Sequence, residues 1–360
     1  MLALQAITPL QLAAAIPAIT LGEARKLIAQ VHRDEPVHAT SAIRRVAVEA
    51  VRAAAHQPIL ELVSETPSQR DPFVKYLLGS AGARFETVRI PLEHPDRFTV
   101  CVSSQVGCAL GCAFCATGRL GLSRNLAAWE IVEQVRVVRA RLPRGRVHGV
   151  VFQGMGEPLA NLDEVLASIA VLTDPCALGI DARAITVCTA GLPIGIRRLA
   201  REAPKVRLGL SIHTAVAERR RSLMPIARAH SLDEVLAAAA EHARTTGLAP
   251  MWAITLLAGI NDSDDDARAI AALARTFADD TGVRPRLSII AYNAIDDDHP
   301  FASPVARGAG GRAPPDRLGE PFERSPREQA FRAALGLPSH RRYSGGGDVG
   351  AACGQLAARS

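Results

Sequence analysis

Phe98-Thr99-Val100-Cys101-Val102-Ser103-Ser104-Gln105-Val106-Gly107-Cys108-Ala109-Leu110-Gly111-Cys112-Ala113-Phe114-Cys115 joins a short apolar run to three closely spaced cysteines. Phe98–Val102 reads as a strand, and the C-x3-C-x2-C triplet follows it on a loop. Three thiolates at this spacing can hold three irons of a [4Fe–4S] cluster and leave the fourth iron open. An electron-transfer cluster takes four cysteines, so an open iron implies another ligand there. The amino and carboxylate groups of S-adenosylmethionine (SAM) suit that position. A structural zinc site completed by Cys101 or a histidine is the alternative, since zinc takes four protein ligands.

Outward from this stretch, strand and helix signals alternate. The next strand candidates are Val147–Phe152, Ala184–Cys188, Val206–Ile212, Trp252–Leu257 and Leu287–Tyr292. Amphipathic stretches at Ala127–Arg141, Leu162–Leu172, Pro193–Arg201, Leu232–Thr245 and Asp264–Phe277 separate them. This regularity predicts an α/β fold with a parallel sheet, and six units suit a partial (βα)6 barrel better than a two-sided open sheet. In a barrel, chemistry gathers where the C-terminal ends of strands meet loops.

Upstream, Phe85–Pro91 alternates apolar and polar residues as a further strand. Residues 1 to about 80 read as mainly helical, with periodic stretches at Leu21–Val31 and Ser41–His56. The expected organisation is a helical accessory, RNA-binding domain over 1–85, a barrel core over 86–340 and a tail over 341–360. Within the core, 294–325 reads as a loop insertion containing Asp296-Asp297-Asp298 and Gly308–Gly311. A short helix over Pro326–Leu335 precedes the glycine-rich tail that carries Cys353.

Composition narrows the class. The 360 residues are 48% hydrophobic and 22% charged, which supports a packed core and excludes global disorder. No apolar run reaches the ~18 residues of a membrane span. Gln5, Thr8, Pro9, Gln11 and Pro17 interrupt the apolar N-terminus, so no secretory signal is expected and the chain reads as a cytoplasmic monomer. The seven cysteines are odd in number for a disulfide scaffold and fit a reducing compartment. A net charge of +6 permits a polyanionic partner. Among 42 basic residues only Lys26, Lys75 and Lys205 are lysine. Arginine suits RNA through bidentate phosphate contacts and stacking, although a codon bias produces the same excess. Any RNA signal would sit in clusters: Arg136, Arg139, Arg141, Arg144 and Arg146, or Arg219 to Arg221.

Gly154-Met155-Gly156-Glu157-Pro158 ends the second strand. Glycines let backbone approach a ligand closely, and a carboxylate there can take up an amino acid's ammonium. Alone this is an ordinary glycine turn; one βα unit after a cluster loop, it reads as a SAM site.

From about Phe85 to Leu356 the chain resembles the radical SAM RNA methyltransferases of the RlmN/Cfr type. The likeness rests on Glu86-Thr87-Val88-Arg89-Ile90-Pro91, the Cys101–Gly118 region, Ser123-Arg124-Asn125-Leu126 and Met155-Gly156-Glu157-Pro158-Leu159. Leu223-Met224-Pro225-Ile226 and Ala351-Ala352-Cys353-Gly354-Gln355-Leu356 complete it. The resemblance implies methylation of an adenosine carbon, C2 ahead of C8, in RNA: 23S rRNA first, tRNA as another target. It implies one [4Fe–4S] cluster on Cys108, Cys112 and Cys115, two SAM per turnover, and an electron donor such as flavodoxin. One SAM would methylate Cys353. The second, cleaved reductively, would yield a 5′-deoxyadenosyl radical that takes hydrogen from that methyl, and the resulting radical would add to the base. Glu86 matches the proton acceptor, and Cys101 matches the cysteine that releases product through a disulfide with Cys353. SAM contacts carry over to Gly156, Glu157, Cys188, Ser211, Ile212, His213 and Asn293.

Four departures mark a divergent member, one being residues 296–325, longer and more acidic than the family loop. Cys188-Thr189-Ala190-Gly191 stands where the family has Ser-Thr-Ser-Gly, Ala253 follows Trp252 where an acidic residue is usual, and Gly347-Asp348 replaces paired acids. Competing readings are a radical SAM methylase of another RNA or of adenine C8, and a noncatalytic iron–sulfur RNA-binding protein. Cys101 and Cys353 argue against the last, because no cluster needs them.

Overall fold

The computed structural model describes residues 1–295 and 322–358. β1 (Leu2–Ala3) pairs in parallel with β2 (Ala55–His56) beside a layer of three helices. These are α1 (Pro9–Ala15), α2 (Leu21–His32) and α3 (Arg45–Ala54). Reciprocal side-chain and backbone bonds, Thr8 with Gln11 and Thr20 with Glu23, start α1 and α2. Leu12, Leu27, Ile28, Val48 and Val51 pack together as a small core of this layer's own.

The remaining chain builds one ten-stranded sheet and a two-stranded ribbon. β3 (Glu61–Pro67), β4 (Val74–Ser80), β5 (Ala83–Pro91) and β6 (Arg97–Val102) run antiparallel in sequence order. The expected helical reading up to residue 80 is therefore corrected: helices occupy residues 9–54 only in part, and residues 61–67 and 74–80 are strands of the main sheet. β4 is buried on both faces except at its end, and such a strand carries no period-two signal. The ribbon joins β7 (Gln105–Cys108) to β8 (Gly121–Asn125) around the short helix α4 (Ala116–Arg119).

From β6 the sheet continues in parallel through β9 (Arg146–Phe152), β10 (Ile185–Thr189), β11 (Arg207–Ser211), β12 (Met251–Leu256), β13 (Arg286–Ala291) and β14 (Ser339–Arg342). The crossovers carry α5 (Ala128–Ala140), α6 (Leu162–Thr173), α7 (Pro193–Glu202), α8 (Ala217–Leu223), α9 (Leu232–Thr246), α10 (Asp264–Thr281) and α11 (Glu328–Leu335). Val150, Phe152, Val187, Leu208, Leu210, Trp252, Ile254 and Ile289 fill the core, the apolar runs expected of parallel strands covered on both sides. Arg342 at the end of β14 and Cys101 on β6 line one cavity although five strands separate theirs. The parallel run therefore curls towards closure, as the sequence reading anticipated. Of the expected 294–325 insertion, residues 296–321 lie outside the described residues. No described helix is long and apolar enough to cross a membrane.

Part of each arginine cluster serves packing. Arg136 is buried on α5, where it pairs with Glu133 and Asp34 and donates to the Val31 carbonyl. Arg139 donates to the His32 carbonyl, Arg141 meets Glu65 and Arg144 meets Asp96. Burial, with Arg136 and Arg139 nearby, pushes His32 down to about 3. Arg136 and Arg139 thus fasten the helical layer to α5, whereas Arg144 and Arg146 stay exposed. Arg220 is likewise buried, and Arg219 pairs with Asp266.

Candidate active site

Cys108 closes β7, Cys112 sits on the following loop and Cys115 precedes α4. Gly107 permits the ribbon beneath them: its φ is +76°, and a Cβ there would lie 1.9 Å from the Gly121 carbonyl oxygen. All three thiols are free and open onto one cavity with Gly156, Glu157, Cys188, Ser211, His213 and Cys353. Burial pushes Cys108 up to about 12 and raises Cys112 and Cys115 as well. Thiols bind metal as thiolates, and a bound cation supplies the charge that deprotonates them.

Among the described residues, no group of three or more His, Cys, Asp or Glu is placed to hold a single metal ion. Each thiolate of a cluster binds its own iron, whereas a structural zinc takes four protein ligands at one point. With no fourth cysteine on the loop, the donor set fits a [4Fe–4S] group with one open iron.

Beyond the triplet, Glu157 is buried at the end of β9. Its carboxylate accepts from the Ala190 N–H at 2.8 Å and the Leu159 N–H at 3.0 Å, while its own N–H donates to Gln105 Oε1 at 2.8 Å. Burial outweighs these donors and pushes the carboxyl up to about 7. The site thus holds a carboxylate short of positive charge, ready for an ammonium. His213, past β11, is buried with φ +59°. Its Nδ1 accepts from the Thr255 N–H at 3.0 Å, and its ring meets Phe114 at 4.5 Å between centroids. Burial first and Arg220 second push it down to about 3, so the ring is neutral with its proton on Nε2. Arg220 braces this end of the barrel by donating to the carbonyls of Ser211, Ile212 and Ala190.

The tail returns over the strand ends. The Ala116 N–H donates to the Gly354 carbonyl at 2.7 Å, and Thr117 Oγ1 donates to the Leu356 carbonyl at 2.6 Å. Asn293 Nδ2 donates to the Cys353 carbonyl and to Ser344 Oγ, each at 3.1 Å. Asp71, on the β3–β4 connection, accepts from Tyr343 Oη and the Gly346 N–H. Cys353 consequently lies on the wall between the cysteine cavity and a second one lined by Cys101, Gln153, Arg342 and Leu356. Gly154 makes room: a Cβ there would lie 2.7 Å from Leu356 Cδ1 and 3.0 Å from Cys101 Sγ.

The candidate residues divide accordingly. The three loop cysteines, Gly156, Glu157, Cys188, Ser211, His213 and Cys353 share one cavity, and Cys101 faces Cys353 from the second. Ile212 has its side chain in the core, and Asn293 holds the tail without lining either cavity. Glu86 opens onto a third cavity with Lys75 and Gln355. There it is ion-paired with Lys75 at 3.1 Å and accepts from the Ala357 N–H at 2.8 Å. Lys75, Gln105, Gln153, Arg220 and Arg342 were not singled out as site residues in the sequence. Only Gln105, within the segment joining Cys101 to Cys108, lay in a motif marking the site.

Comparison with known proteins follows the same lines. The Radical SAM superfamily model matches residues 102–274. A probable RNA methyltransferase of Sorangium cellulosum is 57% identical over 351 residues, covering 94% of this chain and 88% of that protein. A dual-specificity RNA methyltransferase RlmN of Syntrophobacter fumaroxidans is 42% identical over 289 residues, covering 79% and 76%. A solved radical SAM methyltransferase from Sphaerobacter thermophilus superposes with a TM-score of 0.83 at 33% identity, with both chains covered completely.

Proposed function

The chain belongs to the RlmN-type radical SAM RNA methyltransferases, and we propose that it methylates C2 of an adenosine in 23S rRNA through a methyl group carried on Cys353. Enzyme class, RNA as substrate, and the [4Fe–4S] and SAM cofactors come with the family. The choice of carbon, the choice of RNA, the cysteine intermediate and two SAM per turnover are the proposal.

The observation that carries it is the position of Cys353 on the wall common to the cysteine cavity and the Cys101 cavity. A thiol there meets the methyl donor on one side and its resolving partner on the other. Adenine C2 is a poor nucleophile, so direct displacement from SAM cannot methylate it. When bound, the cluster on Cys108, Cys112 and Cys115 supplies the electron that cleaves SAM.

The chain's own residues bind and order the rest. Glu157 takes the SAM ammonium, with Gly156, Cys188, Ser211 and His213 lining the remaining wall. Ile212 contributes backbone, and Asn293 acts on the tail through the Cys353 carbonyl. Glu86 accepts the proton from the base, with Lys75 beside it. Cys101 releases the product by closing a disulfide onto Cys353. In the same reading the N-terminal helical layer assists RNA binding, a flavodoxin-type protein donates electrons and the chain acts as a monomer.

The test is mass mapping of rRNA and tRNA nucleosides from cells with and without this chain. Loss of one 2-methyladenosine from 23S rRNA is the expected result. Loss of an 8-methyladenosine, or a change confined to tRNA, overturns the substrate assignment.

A further inference from the structure

Cys101 and Cys353 share their cavity with one cation. Arg342 closes β14, paired with Ile290 of β13, and lines the same cavity as both thiols. Its Nη1 is buried and has no hydrogen-bond partner among the described residues. Buried N–H groups of guanidinium are rarely left unpaired, because each forfeits its hydration. The charge nonetheless favours this place: attraction to Cys353, Cys188 and Cys101 raises Arg342 against the opposing effect of burial. The titratable and charged groups facing Cys101 are Cys353 from the tail, Cys188 from β10 and Arg342 from β14. Of these, Arg342 alone is positive.

We propose that Arg342 is a positioning residue for sulfur anions, stabilising the negative charge that develops on Cys101 in the step that releases RNA. The inference rests on the cysteine-bridged reading above. In that step the Cys101 sulfur anion bonds to the Cys353 sulfur, and the bond from Cys353 to the base-bound methylene breaks. The bonding pair stays on the carbon, which takes a proton and becomes the methyl. Two sulfurs are oxidised to a disulfide and one carbon is reduced, so the step needs no outside oxidant. It does need an anion at Cys101: burial first and Cys353 second push that thiol up to about 12 even with Arg342 drawing it down, so the thiol ionises only as it reacts and the nearby guanidinium lowers the cost of that ionisation. Arginine suits the task because it stays charged in a site that would neutralise lysine more readily.

The test is alkylation of Cys101 by iodoacetamide, mapped by mass spectrometry on full-length, cluster-reconstituted protein without RNA or SAM. Arg342→Met should slow Cys101 on the order of tenfold at fixed pH and displace its pH profile upward by about one unit. Arg342→Lys should fall between wild type and Arg342→Met, because a buried lysine is neutralised more readily than arginine, and Cys176, outside the site, should not change. Arg342→Gln serves the same purpose if the methionine variant loses its iron. An unchanged Cys101 profile in the neutral variants overturns the inference. In cells, Arg342→Met should accumulate a covalent protein–RNA adduct, as Cys101→Ala should. No adduct even in Cys101→Ala sinks the cysteine-bridged reading and leaves the alkylation result standing. An adduct in Cys101→Ala but not in Arg342→Met sinks the role given to Arg342.

Discussion

In a Glu157→Gln variant, the buried carboxylate in the wall of the cysteine cavity becomes neutral with almost no change in volume. Burial raises this carboxyl from 4.5 to about 7. Between those values the folded protein binds more protons than the unfolded chain, so stability falls as pH rises through the window. Above it, the ionised carboxylate costs the folded state about 3 kcal/mol. Glutamine removes that cost. It keeps one oxygen for the Ala190 or Leu159 N–H but turns an NH2 towards the other, forfeiting about 1 kcal/mol. The cluster-free variant should therefore be more stable than wild type by about 2 kcal/mol at pH 8, and no more stable below pH 4.5. SAM binding moves oppositely. A charge-assisted bond to the ammonium contributes about 1.5–3 kcal/mol, so affinity should fall by about ten- to hundredfold. Wild-type affinity should also weaken below pH 7 as Glu157 protonates, whereas the variant's should stay flat there. Urea unfolding and equilibrium dialysis with labelled SAM read the two effects. A variant that binds SAM as tightly as wild type, or one less stable at pH 8, refutes the reasoning.

Arg136→Met should strand Glu133 beneath the helical layer and lower stability by about 3 kcal/mol in urea unfolding, with iron content retained because the cysteine loop is elsewhere. Asp71→Ala removes the acceptor shared by Tyr343 and the Gly346 N–H, so limited proteolysis should cut near Arg341 and Arg342 faster while the iron stays in place. Anaerobic reconstitution should load about four irons per chain, and Cys112→Ala should hold none stably; stoichiometric zinc without iron–sulfur absorbance would contradict the cluster.

The parallel half of the fold was legible because its signals are long and regular. The helix expected at Ala127–Arg141 is Ala128–Ala140, and the strand expected at Val147–Phe152 is Arg146–Phe152. Of the antiparallel strands, Ala83–Pro91 and Arg97–Val102 were legible as well, but Glu61–Pro67 and Val74–Ser80 were not. Val74–Ser80 is covered on both faces, so its apolar run carries no alternation to separate strand from helix. Ser339–Arg342 is a polar strand that exists because β13 offers an open edge, which no local pattern announces. The packing role of Arg136 was hidden for a related reason: sequence shows it beside other basic residues but not Asp34, about a hundred residues away, that meets it. The site followed the same rule. Cys108, Cys112, Cys115, Glu157 and Cys353 stood in motifs whose chemistry depends on near neighbours. Lys75 acquires meaning only once the β4–β5 hairpin sets it against Glu86, and Arg342 only once it shares a cavity with Cys101 across five intervening strands.

The proposed reaction turns on Cys353 as methyl carrier, and intact-protein and peptide mass spectrometry of the enzyme from cells tests that most directly. One added methyl group should map to the peptide containing Cys353, and its label should appear in the RNA product of a single anaerobic turnover. Cys353→Ala should retain its cluster and make no methylated adenosine. If that variant still methylates RNA, or if the methyl on Cys353 never reaches the product, the proposed reaction is wrong for this protein.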